Sequence, residues 1–440
     1  MARLPAASRR RGLDHRRHNQ KSLAGGTREE TMPTKTYPSQ WSRRQVVAGI
    51  GGLAASAAIR PASAQAPEGA PIKIGQALAL TGPFAQTGLV HKIVSEYYVD
   101  RLNKHGGLLG RPVEYTVLDD QSKPDVSRTL YERLITSDKV DLILGPYGTA
   151  SILAAMGVAQ RYHKVFVQNT MGVPALATYE WHFSALVSGP EPQRSLPAKI
   201  VDCYAGTGNP PKTIAVVTSK FPSTEDMAKG MQIVAKERGL QEVAFLEYDV
   251  GNRDYGPIAA RIKEANPDLM FVGCLGVEGN QLLEALSQVG HIPKRHFFLY
   301  PSGLLAAYPP ADRATSLTNF EDVAPYTASP EGAEFAKAFD AKAKEQGLPY
   351  PYVDSQAGNE YSGWQILTAA VNATKSLDDK ALSEWLEQNS VDTLAGRRNF
   401  KGKWHTSETD QQQIRQAQNG RWVAVFPQDR ATPGVKLMAP

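Results

Sequence analysis

Two successive blocks, in each of which short apolar runs alternate with helical patterns, constrain this chain more than any other feature. The first opens with PIKIGQALAL (residues 71–80), a run with few polar breaks. Such a run suits a strand covered on both faces, as in a parallel sheet. A loop, TGPFAQTG (81–88), leads to a helix that runs to Lys104 and stops at His105-Gly-Gly. VEYTVLDDQ, VDLILG and KVFVQ read as further strands, with the helices DVSRTLYERLITS and SILAAMGVAQRYH between them. Near Lys212 the order restarts: KTIAVVTS, QEVAFLEYD, DLMFVGCLG and HFFLYP alternate with TEDMAKGMQIVAKERG, GPIAARIKEAN and GNQLLEALSQVG. Strands alternating with helices imply parallel sheets with right-handed crossovers, and two such blocks in series imply two α/β lobes. The duplication is one of pattern, since no close sequence repeat is visible.

The segments outside the blocks suggest how the lobes connect. Ser188 to Pro192 and Asn319 to Pro330 read as crossovers. Three helical patterns follow (330–347, 360–376 and 379–390), then a tail of strands with an Asn419-Gly420 turn. The helices can return to lobe one and the tail to lobe two.

The formal charge of +5 comes from the front of the chain. Residues 1–64 hold 12 Lys/Arg and 3 Asp/Glu, which leaves 37 basic and 41 acidic residues of the chain's 49 and 44 for the remainder. The folded part is therefore mildly acidic, which argues against a nucleic-acid partner. Arg43-Arg44, the weakly apolar run from Val46 to Ile59, and Ala62-Ser63-Ala64 have the order of a secretory signal. The paired arginines resemble a twin-arginine export signal, and cleavage after Ala64 would leave Gln65 first. The run is too short and too rich in Gly and Ala for a membrane span, which needs ~20 strongly apolar residues. The Arg-rich stretch before Met32 suits a start at Met32 itself; an N-terminal peptide from upstream would refute that. The chain is expected in the periplasm. Cys203 and Cys274 can form a bridge in an exported protein, though two buried thiols are the favoured reading.

Ligands of parallel α/β sheets bind at the carboxyl ends of the strands. Here those ends carry TGPFAQTG, GPYGTAS (145–151), NTMGVPA (169–175), SKFPSTED (219–226), LGVEGN (275–280) and YPSGLL (300–305). Thr149 and Ser151 stand where a helix begins, so the loop is either a plain N-cap or a seat for an anion.

The stretch IGQALALTGPFAQTG, NKHGGLLGRPV and VDLILGPYGTAS together resemble the leucine/isoleucine/valine-binding family of type I periplasmic binding proteins, ligand receptors for ABC importers. The similarity runs from about Ile72 to about Pro427 and is strongest before Asn169. It implies two Rossmann-like parallel-sheet lobes joined by three crossovers, an α/β fold with ligand trapped by hinge closure. Residues 71–189 with 326–391 would form lobe one, and 190–325 with 392–440 lobe two. The family's carboxylate-binding hydroxyl falls on Thr149, and its next loop on Thr170 and Gly172. A family aromatic falls on Thr87, so that wall is smaller here. The second-lobe contact falls on Phe221 or Ser223. The acidic residue that members binding amino acids place against the ammonium falls on Ser302. A buried ammonium without a counter-charge is costly, which puts an ordinary α-amino acid in doubt. Glu278 can replace that acid from the neighbouring loop, or is a solvated loop glutamate. Phe84 and Tyr147 either stack on the ligand or pack structurally.

The resemblance points to a receptor that captures a small carboxylate-bearing or amide ligand, an aromatic or amide-like acid before a branched-chain amino acid. It would act as a monomer and deliver its ligand to an ABC permease in the inner membrane, with no cofactor and no metal. A sensory module for a membrane partner is the alternative within binding. An exported enzyme is the remote one: no GxSxG, HExxH, P-loop or Cys-x-x-Cys motif is present, and Cys274 has no assignable partner histidine.

Overall fold

The structure is a computed structural model and describes residues 66–439. The expected leader, twin-arginine signal, Ala64 cleavage site and Met32 start lie outside the described residues.

The first half of the chain runs β1 (Ile72–Leu78), α1 (Ala85–Lys104), β2 (Val113–Asp119), α2 (Pro124–Thr136), β3 (Leu142–Leu144), α3 (Thr149–Arg161), β4 (Phe166–Gln168) and β5 (His182–Ser184). These strands form one sheet in the order β2-β1-β3-β4-β5, parallel throughout. The side-chain period of two sorts each strand between two cores. Leu142 and Leu144 face one hydrophobic cluster, while Ile143 faces the other; Val167 and Phe166 divide the same way. That is why these strands carry apolar residues on both faces.

The second half runs α4 (Pro192–Ala205), β6 (Thr213–Ser219), α5 (Pro222–Glu237), β7 (Gln241–Tyr248), α6 (Gly256–Ala265), β8 (Leu269–Gly276), α7 (Glu278–Gln288), β9 (Arg295–Pro301) and β10 (Thr315–Thr318). It repeats the topology, with parallel order β7-β6-β8-β9-β10. Ile214, Val216, Phe271 and Phe297 pack on one face of this sheet, and Ala215, Val217, Val272 and Phe298 on the other. The chain then returns to the first sheet with α8 (Pro330–Glu345), α9 (Ser355–Thr374) and α10 (Asp379–Gln388). Phe335, Phe339, Tyr361, Trp364 and Leu382 share a core with Ile72, Ile74 and Leu144. A small hairpin, β11 (Val391–Thr393) and β12 (Gly396–Arg398), precedes β13 (Gln413–Gln418) and β14 (Arg421–Phe426). The last two join the second sheet antiparallel beside β10, making it a seven-stranded mixed sheet. Asn419 and Gly420, at φ 53° and 74°, supply the left-handed turn between them.

Three elements escape the sequence pattern. β5 is only three residues long. β10 reads Thr-Ser-Leu-Thr, polar in sequence but buried, with the Thr315 and Ser316 hydroxyls bonded to the His296 and Leu299 carbonyls. α4 contains Pro197, which cannot donate to the carbonyl four residues back. That carbonyl, of Gln193, lies where a Cβ on Gly230 of α5 would stand 1.8 Å away, so only glycine permits the approach of the two helices.

Candidate functional site

In each sheet the strand order reverses between two neighbours, β1 and β3 in the first and β6 and β8 in the second. Loops at such points diverge and leave a crevice at the carboxyl edge. Phe84 and Tyr147 follow β1 and β3; Phe221 follows β6. The three rings meet across the crevice, Phe84 lying edge-on to Tyr147 and to Phe221 at 5.7 Å each. Ala79 and Leu275 complete this apolar cluster. Phe84 thus packs as a wall behind the site, whereas Tyr147 also lines its main cavity.

The helix starts place several of the remaining side chains. α1 begins at Ala85, so Thr87 and Gly88 sit on the helix and not in a loop. A Cβ on Gly88 would lie 2.0 Å from the Ala79 carbonyl oxygen, and the bare glycine lets the helix abut the strand end. α3 begins at Thr149 after Gly148, at φ 84°, with no side chain capping the helix. The Thr149 Oγ1 accepts from the Gly172 N–H at 3.1 Å, and the Thr170 Oγ1 accepts from the Gly148 N–H at 3.0 Å. The Thr170 N–H goes to the Gln168 side chain at 2.8 Å. These bonds take up the loop amides but leave each threonine its hydroxyl hydrogen to donate. α5 begins at Pro222, whose fixed φ suits the first helical position. Ser223 then faces Gly172 so closely that a Cβ there would be 2.5 Å from the Ser223 Cβ.

Two cavities lie in the crevice. The larger has about 460 Å³ of empty volume, counting its mouth, and is lined by Tyr147, Thr170 and Ser223 among the expected residues. The smaller, about 340 Å³, is lined by Thr87 and Ser302. Thr149 and Gly172 stand just behind the larger one, and Phe221 closes on Gly148. Glu278 is not a solvated loop residue. It opens α7, is 4% exposed, and its Oε2 accepts from the Leu275 N–H at 3.0 Å and the Tyr248 hydroxyl at 3.2 Å. Burial pushes its carboxyl up to about 7, against the pull of those donors.

Further lining residues were not among the expected site residues. Leu186, Asn319 and Gln412 belong to the three segments that pass between the sheets, and Gln356 and Asn359 to α9. The Asn319 Nδ2 donates to the Asn359 Oδ1 at 2.6 Å, joining a crossover to that helix. Tyr300 is the penultimate residue of β9, two residues before Ser302, and lines the larger cavity. The Tyr147 and Tyr300 hydroxyls and the Gln412 Nε2 have no hydrogen-bond partner among the described residues. Burial holds both phenols protonated, well above the ordinary tyrosine range. Among the described residues, no Asp, Glu, Lys, Arg or His lines the larger cavity. The smaller one has Asp354, whose Oδ1 caps α9 by accepting from the Gln356 and Ala357 N–H groups at 3.0 and 3.2 Å. The larger cavity thus offers hydroxyl and amide groups on an apolar frame, a lining suited to binding and without a nucleophile–base pair.

Both cysteines are free and buried, in separate cores. Burial pushes the Cys203 thiol up to about 12 and Cys274 higher still, so neither is a nucleophile at neutral pH.

A family model described as periplasmic binding protein matches residues 71–421. The chain is 24% identical over 318 residues to a Leu/Ile/Val-binding protein of Rhizobium johnstonii, covering 70% of this chain and 81% of the relative. Among solved structures, a solute-binding protein of an ABC transporter from R. palustris in complex with benzoate is similar with a TM-score of 0.69 at 20% identity, over 83% of this chain and 98% of that one. A leucine-binding protein from Thermotoga maritima is similar with a TM-score of 0.66 at 18% identity, over 80% and 97%. At these identities the structural likeness establishes the fold.

Proposed function

The chain belongs to the periplasmic binding protein family, solute-binding proteins of ABC transporters and not enzymes, and from that premise we propose that it captures a small aromatic or amide-like acid and delivers it to an ABC importer. The observation that carries this reading is the neutral lining of the larger cavity. An α-amino acid brings a buried ammonium as well as a carboxylate, and an unpaired buried charge costs several kcal/mol. An aromatic acid brings only the carboxylate, which neutral donors and the uncapped start of α3 can hold. Thr149, Thr170 and the Tyr147 and Tyr300 hydroxyls are the proposed donors. Phe84, Phe221, Ser223 and Gly172 shape the wall, and Thr87 and Ser302 stand beside it in the smaller cavity, whose carboxylate, Asp354, is engaged as the cap of α9. Glu278, held by Leu275 and Tyr248, supports the strand end and does not meet the ligand. Benzoate in the R. palustris relative is an acid of this class.

The protein is further proposed to reach the periplasm on its twin-arginine signal, to be cut after Ala64 and to act as a monomer. Its two parts, residues 71–189 with 326–391 and 190–325 with 392–440, would close on the ligand. Calorimetric titration of the purified protein with benzoate, 4-hydroxybenzoate, leucine and isoleucine tests the ligand class. Tight leucine binding without response to either benzoate would refute it.

A further inference from the structure

The smaller cavity holds polar atoms that the ligand reading does not use. It shares Gln356 with the larger one, so the two abut. Asp354 is 3% exposed, and only its Oδ1 serves as the cap of α9, taken up by the Gln356 and Ala357 N–H groups. Its Oδ2 accepts from no group among the described residues. That oxygen lies against the segment after β9, where a Cβ on Gly303 would stand 3.2 Å from it. The neighbouring Ser302 is 7% exposed, and its Oγ has no partner among the described residues either. A carboxylate and a hydroxyl thus line one cavity from two elements, each with an unpaired oxygen. Much of the remaining lining is apolar or aromatic, with Val90, Leu304, Leu348 and Tyr350, and among the described residues no Lys, Arg or His belongs to it. A buried polar atom left without a partner is costly. Burial raises the Asp354 carboxyl, and the charge of Arg415 is first among the groups that oppose it.

We propose that the smaller cavity is a subsite for a substituent of the ligand bearing an O–H or amide N–H, which donates to the Asp354 Oδ2 with the Ser302 hydroxyl as its second partner. The proposal rests on the reading of the ligand as an aromatic or amide-like acid, and it narrows that class to acids with a hydrogen-bond donor besides the carboxylate. The carboxylate stays with the neutral donors of the larger cavity, and the substituent passes Gln356 into the smaller one. With Arg415 already opposing the burial of its charge, Asp354 needs only a neutral donor and no ammonium. A ligand without the donor, such as benzoate, leaves the oxygen unpaired. Sites built to bond an O–H or N–H discriminate strongly against analogues that lack it, for that reason.

Calorimetry of benzoate, 3-hydroxybenzoate, 4-hydroxybenzoate and 4-carbamoylbenzoate in wild type, Asp354→Asn and Ser302→Ala tests this. Asparagine caps a helix as well as aspartate does, so Asp354→Asn keeps the start of α9 and presents an NH2 group to the cavity in place of the oxygen. Its melting temperature checks the fold. In wild type at least one donor-bearing acid should bind roughly tenfold to a hundredfold tighter than benzoate, as one hydrogen bond to a charged group gives. The hydroxy and carbamoyl arms tell O–H from N–H. The preference over benzoate should vanish in Asp354→Asn and fall about threefold in Ser302→Ala. No preference in wild type for any donor-bearing acid, or a preference that survives in Asp354→Asn, would overturn the proposal. If Asp354→Asn does not fold, an undiminished preference in Ser302→Ala overturns it. If none of the acids binds, the ligand reading fails and phenol, a donor without a carboxylate, decides the subsite by ligand-observed NMR. Binding lost in Asp354→Asn upholds the subsite, whereas no binding, or binding indifferent to the substitution, refutes it.

Discussion

Substituting alanine for Gly172 adds one methyl group where the two halves of the molecule touch. The new carbon would stand 2.5 Å from the Ser223 Cβ and 3.4 Å from its Oγ, and Gly172 has no left-handed backbone that alanine would strain. Carbon atoms pack at ~3.5–4.0 Å, so the loop after β4 and the start of α5 must part by about 1 Å. Overpacking of this kind costs ~1–3 kcal/mol; with the two parts closing on the ligand as proposed, that cost falls on closure and not on folding, because the clash is between them. Benzoate affinity should fall roughly fivefold to a hundredfold, with a change of only a few degrees in melting temperature. Ser223→Gly removes the opposing carbon and should restore most of the affinity in the double variant, although glycine early in α5 costs ~0.5–1 kcal/mol of stability. Calorimetry gives the affinities, and small-angle scattering reads whether Gly172→Ala is the more open molecule. Wild-type affinity in Gly172→Ala, or a double variant no tighter than the single one, would refute the contact as a closure point.

Glu278 titrates in a useful range. Its carboxyl is raised to about 7 by burial, above the ~4.3 of an unfolded glutamate, so the stability from its bound proton is full below about pH 4 and lost as pH rises through about 7. Wild type should therefore lose about 2–3 kcal/mol relative to Glu278→Gln between pH 5 and 8 in urea denaturation; parallel pH profiles would contradict this. Arg415, 1% exposed, pairs with Glu321 at 2.8 Å and stacks on Trp422 at 4.2 Å. Arg415→Met should cost ~3–5 kcal/mol by leaving Glu321 buried alone, and adding Glu321→Leu should recover much of it in the same assay. Thr170→Val keeps the shape of the side chain but removes the acceptor of the Gly148 N–H and a proposed ligand donor; benzoate affinity should fall at least about tenfold. A thiol reagent at pH 8 should titrate neither cysteine in the native protein and both after denaturation, since both are buried with raised thiols.

The alternation of strand and helix was legible because the inner strands of both sheets bury both faces. Runs such as LMFVGCLG are apolar at every position that either core needs, and β8 is buried end to end. Where a strand is buried through hydroxyl groups, as in β10, or a helix accommodates a proline, as in α4, the hydrophobic signal vanishes although the element remains. The boundaries at Ala85 and Pro222 were hidden for a related reason. Gly88, Pro222 and Ser223 look like loop residues, yet one permits a close approach, one starts a helix and one is packed against Gly172.

The site divides along the same physical line. Tyr147, Thr170 and Ser223 follow strands whose carboxyl ends the pattern already located, so their convergence on one cavity was foreseeable from topology. Asn319 and Gln412 also carry a signal: they are polar residues in segments that pass from one sheet to the other, and such segments must border any crevice between the sheets. Gln356 carries none. It stands on a helix that returns to the first sheet late in the chain, and only the packing of α9 against the core under β1 brings it beside His91. A helical pattern shows which residues share a face, but not which buried polar group that face will meet. For Gln356 that group is the imidazole of His91, itself hydrogen-bonded to Glu360, and so this lining residue was the one the sequence concealed.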